Sequence, residues 1–97
     1  MLRKIAVITR DCAGINAALR SLVRTAAGHH LEVLGVLRGY DGLIDGQLLA
    51  LDRRSVSGII NLGGTILKSA RSDRFLTEAG QLQALRTIEE RQIDGLV

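Results

Sequence analysis

Apolar positions change their spacing several times along the chain, and each change marks an element. Lys4-Ile5-Ala6-Val7-Ile8-Thr9 is a short unbroken run rich in branched apolar residues. That is the pattern of a strand buried on both faces of a parallel sheet. Arg10 to Gly14 reads as a loop. From Asn16 to Ala27 the spacing becomes helical. Ala17, Ala18, Leu22, Val23 and Ala26 are expected on one face, with Arg20 and Arg24 one turn apart on another. Gly28 is placed to cap the helix. Leu31 to Leu37 is a second apolar run. Strand, helix and strand in succession predict a βαβ unit with parallel strands.

Arg38 to Gly46 holds Gly39, Gly42 and Gly46, which predicts a loop at the carboxyl end of the second strand. Open α/β sheets bind ligands at such ends. Gln47 to Leu51 reads as a short extended piece. Asp52 is a predicted N-cap for a short helix that includes Val56, Ile59 and Ile60. Leu62-Gly63-Gly64-Thr65 breaks it, and Arg71 to Phe75 is polar and reads as loop. Thr77 to Arg91 is the clearest helix, with Leu82, Leu85 and Ile88 expected on its buried face. Gln92 to Val97 resembles the entry to a third strand. Its apolar run stops after Leu96 and Val97, so the domain is expected to be cut, because strands usually run further.

Composition narrows the function. A chain of 97 residues makes one small domain at most. A net charge of +3 is too weak to argue for nucleic acid. With Tyr40 and Phe75 the only aromatics, base stacking is poorly supplied as well. No apolar run spans a membrane, and the N-terminal one is too short for a signal peptide. The single cysteine, Cys12, makes no internal disulfide, which favours a reducing cytoplasm.

Three groups are candidates for chemistry. Arg10-Asp11-Cys12-Ala13-Gly14 lies between the first strand and helix, where backbone N–H groups attract anions. With one glycine it matches no standard phosphate loop, so a plain turn stays open beside an anion site. Arg71 has the geometry to clamp a phosphoryl group bidentately, against the alternative of a solvated arginine. Arg20, Arg24, Arg53 and Arg54 form a basic pocket if the two predicted helices that carry them are neighbours, and solvated faces if they are not. His29-His30 suits a helix carboxyl end, and no nearby cysteine or carboxylate completes a metal set. Cys12 lacks a partner base and reads as a filler residue.

The strings Lys4 to Thr9, Asp11 with Gly14 to Arg20, Gly39 to Leu43, Leu51 to Ser57, Ile60 to Leu67, Ser69-Ala70-Arg71 and Ile93 to Val97 stand in one order. In that order they resemble the N-terminal part of bacterial ATP-dependent 6-phosphofructokinases. The resemblance covers residues 1–97 with one short gap. It implies an α/β fold, a Rossmann-like three-layer parallel sheet, that helps bind Mg-ATP. The family transfers the ATP γ-phosphoryl group to fructose 6-phosphate. On its pattern Arg10, Asp11, Tyr40, Arg71 and Ser72 bind ATP, with Tyr40 near the adenine and Arg71 as the catalytic residue that stabilises charge. Arg20, Arg24, Arg53, Arg54 and Gly58 belong to an effector site for ADP or phosphoenolpyruvate, between subunits of a tetramer.

The departures from that pattern are specific. The family's first loop carries a Gly-Gly pair, and here Arg10 stands in a loop two residues shorter. Lys68 replaces a glycine, Ser72 an aromatic residue and Gly58 an acidic one. The family's Gly-Gly-Asp-Gly-Ser loop, which binds ATP and Mg²⁺, and its Thr-Ile-Asp-Asn-Asp motif, which holds the base, both follow the point matching Val97. The expectation is a truncated phosphofructokinase piece that is inactive alone. Two other readings stand beside it. One is a non-catalytic module binding a phosphorylated effector through its arginines. The other is an interaction protein that pairs through an open sheet edge.

Overall fold

The computed structural model describes residues 3–10, 13–59 and 64–97. Four strands form one sheet: β1 (Lys4–Val7), β2 (Glu32–Val36), β3 (Leu48–Leu51) and β4 (Gly95–Leu96), in the order β3-β2-β1-β4. β1 runs parallel to both β2 and β4. The βαβ expectation therefore holds for β1, α1 (Ile15–Gly28) and β2. β3 departs from an all-parallel sheet: it pairs antiparallel to β2, from Val33 opposite Leu51 to Val36 opposite Leu48. The connection from β2 is too short for a parallel return, which needs a crossover of a dozen residues or more.

Alternation along the strands divides the core in two. Ile5, Val7 and Val33 face one side with Leu19, Val23 and Ala26 of α1. Ala6, Leu34 and Val36 face the other, against Leu43 and Ile44 of α2 (Gly39–Asp45) and Ala84 of α3 (Glu78–Glu90). Three layers result, with β1 covered on both faces, which explains its unbroken apolar run. Ala6 is wholly buried at the centre.

The β1–β4 pairing is reinforced beyond the strands. The Asp94 carboxylate accepts the N–H groups of Arg3 and Lys4, both at 3.0 Å. The Asp94 N–H donates to Lys4 O at 2.8 Å, and Ile8 N donates to Val97 O at 3.0 Å. Lys4 Nζ donates to Arg91 O at 2.9 Å, just past the end of α3, where a cation suits the helix dipole.

Several sequence expectations need correction. Arg38 to Gly46 is mostly helix, because its glycines serve the helix and do not break it. Gly42 approaches Leu37 so closely that a Cβ would lie 1.6 Å from its carbonyl oxygen. Gly46 caps the helix at φ +73°. Asp52 caps no helix: residues 53–58 are turns, held by mutual bonds between Asp52 and Ser55. Val56 and Ile59 are buried, and Ile60 lies outside the described residues.

In α1 the buried stripe is Asn16, Leu19, Val23 and Ala26, so Ala17 and Ala18 face outward. Gly28 ends the helix inside it, and the left-handed residue is His30, at φ +58°. In α3 the buried residues are Gly80, Ala84 and Thr87, with Ile88 partly buried. Leu82 and Leu85 are instead 54% and 52% exposed. Small residues win the inner face because α3 packs closely there: a Cβ on Gly80 would lie 1.9 Å from Arg74 O.

Candidate functional site

The strand order reverses at β1: the chain leaves it first for β2 and returns to it on the other side as β4. Crevices outside the carboxyl ends of strands at such a point are where open α/β sheets take ligands. A cleft of about 530 Å³ lies there, lined by Ile8, Thr9, Arg10, Gly39, Tyr40, Ser69, Ala70, Arg71 and Ser72. Three separate segments supply it: the end of β1, the start of α2 and the strand-free stretch before α3.

Buried polar side chains hold these segments together. Thr9 and Thr65 share a hydroxyl–hydroxyl bond of 2.6 Å, and Leu67 N donates to Thr65 Oγ1 at 3.2 Å. Asn16 Nδ2 donates to Gly64 O at 2.7 Å, and Ile66 N donates to Asn16 Oδ1 at 3.2 Å. The stretch 64–67 is thus tied to β1 and to the first turn of α1. Arg38 N adds a bond to Leu67 O at 2.9 Å, linking the stretch to the end of β2. Lys68 leaves this tether at φ +63°, in the left-handed region that favours glycine.

Tyr40 and Ser72 join the cleft to a second network outside its lining. Arg74 donates to both oxygens of Asp45, at 2.9 and 2.8 Å, and lies 3.4 Å from Asp41. The Ser72 hydroxyl bonds Asp41, and Phe75 N donates to Ser72 Oγ at 3.2 Å. Tyr40 and Phe75 stack with ring centroids 3.9 Å apart and an interplanar angle of 12°. The Arg74 guanidinium bonding Asp45 holds its carboxyl below the usual carboxylate range. Arg74 is shifted upward by the same bond.

Arg71 stands at the mouth of the cleft. It pairs with Asp73 at 3.4 Å, both side chains being more than four-fifths exposed. Such a pair contributes little, so the guanidinium is free to exchange Asp73 for a phosphate. No carboxylate is among the described residues that line the cleft, and the Arg10 and Arg71 guanidinium groups there attract anions.

Arg10, Tyr40, Arg71 and Ser72 therefore meet in one cleft, while Asp11 lies outside the described residues, as does Cys12. Among the described residues the other candidate arginines fall in two separate depressions. Arg20 and Arg24 line one shallow depression on α1, with Ala17, Ser21 and Thr25. Arg53 and Arg54 line another, with Asp52, His30 and Gly28. They stand on turns and not on a helix. Gly58 is exposed at φ +77° with open space around its Cα. Sequence reasoning assigned nothing to Asn16, Thr65, Asp41, Asp45 or Arg74. Asn16 carried a weak signal, a carboxamide on the first turn of an apolar helical stripe.

Comparison with known proteins places this architecture. The Phosphofructokinase family profile matches residues 4–97. The ATP-dependent 6-phosphofructokinases of Cytophaga hutchinsonii and Halothermothrix orenii are each 51% identical over 98 aligned positions, 99% of this chain and 30% of theirs. The chain thus spans under a third of the length of the curated relatives it matches. Among solved structures, phosphofructokinase from Pichia pastoris in the T-state superposes with a TM-score of 0.91 at 35% identity, covering 99% of this chain and 11% of that one. Phosphofructokinase from Saccharomyces cerevisiae gives a TM-score of 0.91 at 37% identity, covering 97% and 13%.

Proposed function

The chain belongs to the phosphofructokinase family, and we propose that it forms the nucleotide-binding wall of an ATP-dependent 6-phosphofructokinase. The reaction proposed for the whole enzyme moves the γ-phosphoryl group of ATP to the 1-hydroxyl of fructose 6-phosphate. The observation that carries this reading is the convergence of Arg10, Tyr40, Arg71 and Ser72 on one cleft at the carboxyl ends of β1 and β2.

The chemistry follows from those residues. Phosphoryl transfer needs mainly positioning and charge neutralisation. Arg71 offers a planar fork of donors to the phosphate oxygens, and its charge stabilises the transferring group. Arg10 supplies a second guanidinium in place of a close backbone approach. Tyr40, stacked on Phe75 at the cleft edge, gives the adenine an aromatic neighbour. Ser72 is bonded to Asp41 and anchors the position next to Arg71. Magnesium would be held with the nucleotide by the family's Gly-Gly-Asp-Gly-Ser loop, a motif that residues 1–97 do not contain. The residues 1–97 contain no Thr-Ile-Asp-Asn-Asp base motif, so they bind and neutralise and do not abstract the sugar proton.

Two further assignments belong to the same proposal. Arg20, Arg24, Arg53 and Arg54 contribute to an effector site for ADP or phosphoenolpyruvate. Their division between two open depressions favours a site completed by a neighbouring subunit of a homotetramer. A cytoplasmic location belongs to the same proposal and rests on the likeness to ATP-dependent 6-phosphofructokinases. Among the described residues no helix is long and apolar enough to cross a membrane.

Titration of the 97-residue chain with Mg-ATP, followed by backbone amide shifts, tests the reading. We expect shifts at Arg10, Tyr40 and Arg71, and Arg71→Ala to weaken binding about tenfold or more. Shifts confined to Arg20, Arg24, Arg53 and Arg54 with ADP, and none in the cleft with ATP, would favour the effector-binding module instead.

A further inference from the structure

We propose that Arg74 is a positioning residue for the cleft. By gripping Asp45 with both arms of its fork and reaching Asp41, it fixes the 3₁₀ turn Arg74–Leu76 to α2 and sets how Arg71 and Tyr40 face a nucleotide. This inference rests on the nucleotide-binding reading of the cleft.

Asp41 and Asp45 stand one helical turn apart on α2, where like charges repel. Arg74 lies against both and removes that repulsion. Its bonds to Asp45, at 2.9 and 2.8 Å, are parallel and bidentate, a geometry that fixes orientation as well as distance. An isolated exposed ion pair contributes little, but a bidentate pair inside a network is the exception.

The network reaches the cleft through chain neighbours. Asp41 follows Tyr40, and Ser72 follows Arg71. Ser72 bonds Asp41, and Phe75 N bonds Ser72. Phe75 follows Arg74 and stacks on Tyr40. Each of the two cleft residues is therefore one peptide bond from a group that Arg74 helps to hold. On the other side of Arg71, residues 69 and 70 are exposed and no side-chain bond secures them among the described residues. The orientation of Arg71 is thus set mainly from the Arg74 side. A lysine at 74 would keep the charge and lose the fork.

The test compares the 97-residue chain with its Arg74→Met and Arg74→Lys variants. Three readouts are taken on each: amide hydrogen exchange by residue, thermal midpoint, and Mg-ATP titration. In Arg74→Met we expect faster exchange at residues 72–76, with β1, β2 and α1 unchanged and a midpoint within about 4 °C of the parent. Mg-ATP affinity should fall roughly threefold to tenfold, and Arg74→Lys should recover part of it. Unchanged exchange at 72–76 overturns the proposal. So does affinity that falls only in step with faster exchange in every element, since that is general destabilisation. If the parent chain binds no Mg-ATP, the nucleotide reading fails for this chain. The exchange pattern then decides the positioning role by itself, local acceleration supporting it and no change overturning it.

Discussion

Gly42→Ala tests the packing of α2, the helix that carries Tyr40. The added Cβ would sit 1.6 Å from Leu37 O and 2.7 Å from Leu37 C. An ordinary carbon–oxygen contact is about 3.3 Å or more, so the backbone must open by roughly 1.7 Å. No side-chain rotamer relieves a clash with backbone. The opening strains the bonds Gln47 N to Gly42 O, at 2.8 Å, and Leu37 N to Gln47 O, at 3.0 Å. It also pulls Leu43 and Ile44 away from Leu34 and Val36. Overpacking costs about 1–3 kcal/mol, and each weakened bond about 1 kcal/mol more. The total, about 3–5 kcal/mol, is a large share of the roughly 5–15 kcal/mol expected for a domain of this size. In a thermal melt followed by circular dichroism the midpoint should fall by at least about 12 °C. Gly28→Ala is the matched control: its Cβ meets nothing within 4 Å at the end of α1, and it should gain up to about 1 kcal/mol. A Gly42→Ala chain that melts within about 3 °C of the parent would refute the argument, since one kilocalorie already shifts a domain this small by more.

Three other outcomes are expected. Lys68→Gly removes a left-handed cost of about 1–2 kcal/mol and adds a glycine entropy cost of about 0.5–1 kcal/mol. Urea denaturation should therefore show a net gain of roughly 0.5–1 kcal/mol; a loss would mean that the Lys68 side chain makes a contact that matters. Asn16→Ala removes the bonds to Gly64 O and Ile66 N, and should cost about 2–4 kcal/mol with faster exchange at residues 64–67. The Asp94 carboxyl is held below 3.8 by the Arg3 and Lys4 amides. Its contribution to stability is therefore fully present above that value and lost as pH falls through the lowered one. Acid melts should show this loss in the parent and not in Asp94→Ala, and β4 amides should exchange first.

Much of this protein was legible before folding. The unbroken run at Lys4–Thr9 and the helical spacing after it were enough for a βαβ unit, because burial on two faces and on one stripe leave different periods. The order of motifs through Arg71 and Val97 was enough for the family. The helix at residues 78–90 was readable from the length of its pattern over Thr77 to Arg91; that Thr77 caps it, accepting from Gly80 N at 3.0 Å, is seen in the structure.

Tertiary structure decided what depends on neighbours distant in the chain. Gly39, Gly42 and Gly46 read as loop because glycine breaks most helices, and only the folded chain shows Gly42 lying against Leu37 O, Gly39 against Ala70 O and Gly46 capping the helix at φ +73°. Leu82 and Leu85 read as core because hydropathy cannot tell that a close helix contact requires Gly80, Ala84 and Thr87. The roles of Asn16 with Gly64, Thr9 with Thr65, and Arg74 with Asp45 were invisible, since each joins residues between 29 and 56 positions apart. A polar residue in sequence declares its chemistry and not its partner. The partner is fixed only when the sheet order brings separate segments to one edge, and here that edge is the cleft.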